Sequence, residues 1–317
     1  MKTIETRNGP FALVEEGSGP AVLLLHGWPE GAHSWRHQLP ALAGAGFRAI
    51  APNQRGYAGS FSPREVEAYT QIHLVGDVVA LLDALEIERA VVIGHDWGAQ
   101  VAWNSALMRP DRVRAVAGLS VPYVPRGPRS LTQAMRDHGV DGFYMLYFQE
   151  PGPAEAELEA DIRESLLRVY YIGSGDVPEG QEWVAVVPPG GGFLDTTQRP
   201  ETLPPWLTEA DLDAYAAAFA ASGFRGPLNW YRNVDRNWEL ATPWHDAPLT
   251  VPACFIAGSR DMVLKVRGLE KIKADLAAKV PNLHGPNFIH GAGHWIQQER
   301  PEEVNRLLLD FLAGLPG

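Results

Sequence analysis

Apolar positions along this chain fall into two kinds of run. Ala21-Val22-Leu23-Leu24-Leu25, Phe47-Arg48-Ala49-Ile50-Ala51, Ala90-Val91-Val92-Ile93 and Val113 to Leu119 are short and β-rich, as expected of strands buried on both faces. Between them lie stretches of helical spacing: residues 33–44, then Ile72, Val75, Val78, Val79, Leu82 and Leu85, then a helix from about 98. Alternation of this kind predicts a mostly parallel sheet flanked by helices. The pattern returns late in the chain as a strand over 251–257, a helix over about 265–278, a strand over 285–289 and an amphipathic helix from about 301.

Residues 122–247 break the alternation. They are rich in Pro, Gly, Trp and Tyr, hold the acidic helical stretch Ala154 to Glu164 and an Ala-rich helix after Thr208, and lack continuous apolar strands. Thr208-Glu209-Ala210-Asp211 opens that helix as a capping box with Asp in place of Glu. The expected architecture is an α/β core made of residues 1–121 and 248–317, with a helical cap (122–247) inserted between its halves. Pro188 to Gly192 reads as a loop rather than a phosphate cradle, because no strand-to-helix context surrounds it.

Composition narrows the function classes. A chain of 317 residues with 45% hydrophobic content can bury a large core, and a net charge of -11 argues against a general phosphate-binding surface, so nucleic acid is set aside. No stretch approaches the ~18 apolar residues of a membrane span, and Met1 to Arg7 lacks the apolar segment of a secretion signal, so the expected location is cytoplasmic. The one cysteine, Cys254, lies in the apolar run Val251 to Ile256 and reads as a core thiol. The histidines lack metal-ligand spacing and no organic cofactor motif is present, so neither metal nor cofactor is expected.

The chemistry centres on GHDWGA, residues 94–99, directly after a predicted strand. Gly94 and Gly98 around Asp96 suit a nucleophile elbow, a tight strand-to-helix turn with no room for a Cβ at the glycines. The alternative is that Asp96 only caps the following helix. A carboxylate, ionised at neutral pH without help, can attack a saturated carbon and form an ester that water later cleaves at the enzyme's own carbonyl; a serine would leave an inert ether. Asp261, after the strand ending near Ala257, fits the acid that orients a base, and His294 in the Gly-rich loop 290–295 fits the base, with His290 the weaker candidate. The backbone N–H groups of Trp28, in HGWP, and Trp97 can converge as an oxyanion hole. His26 and His95 read as locally hydrogen-bonded.

Together these residues resemble the soluble epoxide hydrolases of the α/β-hydrolase fold: HGWPE (26–30), SWRHQLPAL (34–42), RGYAGS (55–60), GHDWGA (94–99), YFQEPGPAEAELE (147–159), LNWYRN (228–233) and GHW (293–295). The resemblance implies that Tyr144 and Tyr231 donate to the epoxide oxygen. Spacing does not decide between Tyr144 and Tyr147; the resemblance selects Tyr144. It also implies an apolar epoxide and water as partners, acted on by a monomer or homodimer, with Pro29, Met145 and Trp295 in the substrate pocket. Two departures stand out. Asn53-Gln54-Arg55-Gly56-Tyr57-Ala58-Gly59-Ser60 lacks the Asp and the second Gly often found at 53 and 58, and Met145 stands where some relatives carry a polar residue. Because GHDWG is shared with haloalkane dehalogenases, such an enzyme is the first alternative, and a non-catalytic binding protein on this fold is the second.

Overall fold

The computed structural model describes residues 1–316. Its sheet has eight strands: β1 (Lys2–Thr6), β2 (Gly9–Glu16), β3 (Ala21–Leu25), β4 (Arg48–Pro52), β5 (Ala90–His95), β6 (Val113–Leu119), β7 (Ala253–Gly258) and β8 (Leu283–Ile289). Their spatial order is β1-β2-β4-β3-β5-β6-β7-β8. From β4 to β8 every pair is parallel, while β1, β2 and β4 pair antiparallel.

Strands β3, β5 and β7 are buried at every position, as their apolar runs require when both faces are covered. The period of two divides their side chains between two layers. Leu23, Leu25, Val92, Val116 and Phe255 face one core with Trp103, Phe148, Tyr170 and Trp230. Val22, Leu24, Val91, Ile93, Cys254 and Ile256 face the other with Trp35, Leu39 and the last helix, Pro301–Ala313. That helix buries Val304, Leu308, Phe311 and Leu312, one stripe of its surface. Burial pushes the Cys254 thiol up to about 12, so it packs as an inert apolar group.

Several expected elements are divided or longer. The run 33–44 forms a short 3-10 turn, Ala32–Trp35, and the helix Gln38–Gly44. The acidic stretch breaks at Asp161 into helices Pro153–Ala160 and Ile162–Gly173, because the Asp161 carboxylate accepts the Glu164 N–H and caps the second. The late helix breaks at Gly268, whose φ of 81° ends Met262–Arg267 and begins Leu269–Lys279. The hairpin β1–β2 was not expected at all.

Seven helices and no strand of the sheet lie between β6 and β7. The capping box at Thr208 is formed: Asp211 N–H donates to Thr208 Oγ1 and Thr208 N–H to Asp211 Oδ2, each at 3.1 Å. Asp211 also meets His33 Nε2 at 2.7 Å and Arg36 Nε at 3.0 Å, which ties this helical region to the loop after β3. Asn53 explains its own departure from the resembling motif. Its amide accepts from Ala32 N–H at 2.8 Å and donates to the Ala58 carbonyl at 2.7 Å, a pair of roles that an aspartate cannot fill.

Arg55 and Asp77 form a two-point ion pair at 2.5 and 2.6 Å, both side chains buried, and Asp77 also accepts from Asn8 of the β1–β2 turn at 2.8 Å. Asp77→Asn keeps the shape but strands the buried guanidinium, which should cost about 3 kcal/mol of stability. The lowered urea midpoint at unchanged denaturant slope will show it; a loss below about 0.5 kcal/mol would mean that the pair does not hold the hairpin.

Candidate active site

Asp96 follows β5 and precedes the helix Trp97–Met108 with φ 50° and ψ -120°, a strained backbone for a residue with a Cβ. The turn is closed by contacts that only glycine permits. A Cβ on Gly94 would lie 2.0 Å from the Gly98 carbonyl oxygen, and one on Gly98 would lie 2.0 Å from that of Leu25. A Cβ on Gly27 would lie 2.4 Å from the Asp96 Cβ. The elbow is therefore wedged against the loop that follows β3.

Asp96 stands at the cap position, yet its side chain makes no capping bond. Instead Oδ1 accepts the Trp28 N–H at 2.8 Å and Oδ2 faces His294 Nε2 at 3.5 Å. Burial works to raise its pKa, but the hydrogen bond and charge of His294, with the Trp28 N–H, hold the carboxyl below its ordinary value. The Trp97 N–H, first in its helix, has no intrahelical acceptor.

On the far side of the ring, His294 Nδ1 lies 3.1 and 3.2 Å from the two Asp261 oxygens. Asp261 is fully buried and caps the helix Met262–Arg267 by accepting the Val263 N–H at 2.8 Å. Burial alone would lower the His294 pKa, but the carboxylates of Asp261 and Asp96 raise it well above the usual imidazole value. His290 is exposed at the end of β8 and lies outside this cluster.

The loop carrying His294 is pinned by groups that the sequence reading missed. Glu299 accepts N–H bonds from Gly293, Gly175 and Trp295 at 2.8, 2.9 and 3.0 Å, and burial pushes its carboxyl up to about 7. The His294 carbonyl accepts from Ser120 Oγ at 2.6 Å and His95 Nε2 at 2.7 Å, and its N–H donates to Gly173 at 2.7 Å. Glu30 joins the other side: it meets His95 Nδ1 at 2.7 Å and accepts from Gly27 N–H, Gln297 and Gln298, each at 2.9 Å. His95 is therefore part of the framework, more than a local hydrogen bonder. His26 is local as expected. Its Nε2 accepts the Gln54 N–H at 3.0 Å, which leaves Nδ1 to donate to Gly27, and burial pushes its pKa down to about 4.

Aromatic side chains from the helical region close over the carboxylate. The Tyr231 ring centroid lies 5.0 Å from Trp97, 5.7 Å from Trp28 and 6.1 Å from Tyr144. Burial, then the Asp96 charge among other groups, raises the pKa of both Tyr144 and Tyr231, so both phenols stay protonated. Tyr147 turns elsewhere, its hydroxyl donating to Glu157 at 3.0 Å, and its pKa is pushed up to about 12 by burial and that carboxylate. Among the three expected pocket residues, Met145 keeps some exposure; Pro29 is buried, with its carbonyl accepting from Tyr170 at 2.8 Å, and Trp295 packs edge-on to His294 at 4.9 Å. No group of three or more metal-ligating side chains is found among the described residues.

Comparison with known proteins gives the family. Residues 20–153 match the family model described as alpha/beta hydrolase fold. Epoxide hydrolase A of Mycobacterium tuberculosis is 47% identical, with 99% of this chain and 97% of that protein covered. Epoxide hydrolase 3 of Siraitia grosvenorii is 41% identical, over 98% and 97%. Among solved structures, an epoxide hydrolase from an endophytic Streptomyces superposes with a TM-score of 0.94 at 47% identity, covering 99% of this chain and 95% of that one. Epoxide Hydrolase A from Mycobacterium thermoresistibile gives 0.92 at 48%, over 99% and 98%. With an α/β sheet, an aspartate at the elbow and relatives of this closeness over nearly its whole length, the chain belongs to the epoxide hydrolases of the α/β-hydrolase fold.

Proposed function

We propose that this epoxide hydrolase converts an apolar epoxide and water to a vicinal diol through an ester on Asp96. Support comes chiefly from one carboxylate meeting the Trp28 N–H through Oδ1 while its charge reaches two protonated phenols. Oδ2 attacks an epoxide carbon, and the breaking C–O bond leaves its electron pair on oxygen. Tyr144 and Tyr231 donate to that oxygen, and one of them gives it a proton.

Water then cleaves the ester. His294 Nε2 takes a proton from water, and the resulting hydroxide attacks the Asp96 carbonyl carbon. Negative charge collects on Oδ1, where the N–H groups of Trp28 and Trp97 receive it. Collapse expels the diol's oxygen, which takes its proton from His294; the water's second proton, left on the Asp96 carboxyl, returns to the phenolate, so that Asp96 is again a carboxylate and both phenols are protonated. A haloalkane dehalogenase would leave the two phenols without a task.

The electrostatics suggest how the base is timed. Two carboxylates favour the imidazolium in the free enzyme. Alkylation turns Asp96 into a neutral ester, removes one of these carboxylates and lowers the His294 pKa just when a base is required. In this reading residues 122–247 are the cap that brings the phenols to a core made of 1–121 and 248–317. The reading also places a monomer or homodimer in the cytoplasm, in keeping with its single, buried, free thiol.

Rapid-quench kinetics with styrene oxide, followed by peptide mass, test the assignments. Asp96→Asn should form no ester, whereas His294→Gln should accumulate about one equivalent and stall. Prompt full turnover by His294→Gln would sink the base assignment. Tyr144→Phe and Tyr231→Phe should each slow ring opening about 10²-fold while leaving ester hydrolysis near its original rate.

Stability should carry the imprint of the same charges. The folded pKa of His294 is raised above its ordinary 6.5, so its contribution is fully present below that value and is lost as pH rises through the folded pKa. The gap in urea midpoint between the native protein and His294→Gln should therefore be widest near pH ~6 and narrow on the alkaline side. A gap that widened with pH would contradict this.

A further inference from the structure

An apolar substrate has to reach a carboxylate around which Trp28, Trp97, Tyr144 and Tyr231 are gathered. One cleft at the surface approaches that cluster. Its apolar wall is formed by Ile172, Val177, Trp183, Ala185, Met262 and Val266, between the extended segment 182–187 and the helix Met262–Arg267. Trp183 is at once a wall of the cleft and a neighbour of the site: its ring centroid lies 5.0 Å from that of Tyr144. One aromatic layer thus separates the cleft from the phenol.

The polar groups of the cleft are already paired. Arg260 donates to the carbonyls of Gly175 at 2.7 Å and Val177 at 2.5 Å, while Lys265 and Glu182 meet at 3.0 Å across the opening. What is left for a visitor is hydrocarbon. Val266 of this wall and Val184 and Val186 of the segment are three of the six large hydrophobic side chains exposed in the structure. Apolar side chains exposed on both the segment and the helix that face each other across the cleft call for a use.

The segment 182–187 is also coupled to the site. Its Ala185 carbonyl accepts the Tyr144 N–H at 3.0 Å and its Val187 N–H donates to Gly142 at 2.7 Å, so it lies alongside the chain that carries the phenol. Trp183 Nε1–H also donates to Thr196 Oγ1 at 2.9 Å, and the remaining side-chain attachment, the Lys265–Glu182 pair, is partly exposed on both sides. Such a pair holds by about 0–1 kcal/mol and opens readily.

We propose that this cleft is the mouth through which apolar epoxides reach Asp96, with the segment 182–187 as its moving edge and Trp183 as the inner door. The proposal rests on the reading of Asp96 as the residue that takes up the substrate. Outward movement of the segment breaks the Lys265–Glu182 pair and the Trp183–Thr196 hydrogen bond, draws Trp183 off Tyr144 and joins the cleft to the site. Return of the segment restores the Tyr144 position and limits access of bulk water during ring opening.

The single cysteine makes a direct test possible. Cys254 is 1% exposed and its thiol is pushed up to about 12, so a maleimide will select a thiol placed at the rim. Val266→Cys is labelled with pyrene maleimide, and kcat/KM is compared with the same variant unlabelled, using trans-stilbene oxide and propylene oxide. Ile72→Cys, at an exposed position on the helix Gln71–Ala84, is the labelled control.

The label on Val266→Cys should lower kcat/KM for trans-stilbene oxide about tenfold or more and for propylene oxide much less, with the Ile72→Cys control unchanged. Unchanged kcat/KM for the large epoxide, or an equal loss in the control, overturns the mouth. The ester mass on the Asp96 peptide is read in parallel in unlabelled His294→Gln, which cannot hydrolyse it. Its absence would count against Asp96, while its presence beside an unaffected labelled enzyme would count against the cleft alone.

Discussion

The site depends on the close approach of three backbone segments at Asp96. Register between β3 and β5 sets Leu25 opposite Gly94, so the loop leaving one strand and the turn leaving the other emerge side by side. Glycines at 27, 94 and 98 let these segments come closer than any side chain would allow. The positive φ at Asp96 is unfavourable in isolation and persists because both strands are buried on both faces and cannot shift to relieve it. The same wedge brings the Trp28 N–H onto Oδ1.

Around this fixed point the buried charges are arranged so that none is alone. His294 lies between Asp261 and Asp96, and Glu30 takes up His95, two glutamines and a backbone N–H. Glu299 is occupied by three backbone donors. A buried charge without partners would shift to its neutral form or weaken the fold. The arrangement also fixes geometry, because the His294 backbone is held through both its N–H and its carbonyl. A histidine in a Gly-rich loop would otherwise sample many orientations.

Legibility in the sequence followed the strength of the local signal. The buried strands were plain because their apolar runs are continuous, and the elbow was plain because glycine at 94 and 98 has a steric reason. The hairpin β1–β2 was missed, since KTIET is exposed at most positions and carries little periodicity. Helix breaks at Asp161 and Gly268 were overridden by the helical patterning on either side. Glu30 and Glu299 were not singled out from the sequence, because what buries them is contributed by residues up to 268 positions away or by backbone N–H groups that no pattern reveals. The choice between Tyr144 and Tyr147, three residues apart, turns on which side chain finds Glu157.

The two phenols are held in different ways, and that difference gives the helical region its part in the reaction. Tyr231 is tied to the stretch that follows β4: its neighbour Trp230 donates to the Arg55 carbonyl at 3.1 Å, and Asn233 donates to that of Val66 at 2.6 Å. Arg55 in turn is locked by Asp77. Tyr144 stands at the start of a single helical turn, Tyr144–Tyr147, whose backbone leans on the segment 182–187 and whose link to Tyr231 is Gln149, bonded to the carbonyls of Met145 and Tyr231. In the proposed mechanism one donor is thus fixed relative to Asp96, while the other would travel with the edge of the cleft. A rigid donor alone would suit one epoxide geometry. If the segment moves as proposed, pairing it with a donor on that segment would let the oxygen of differently substituted epoxides be met without disturbing the carboxylate.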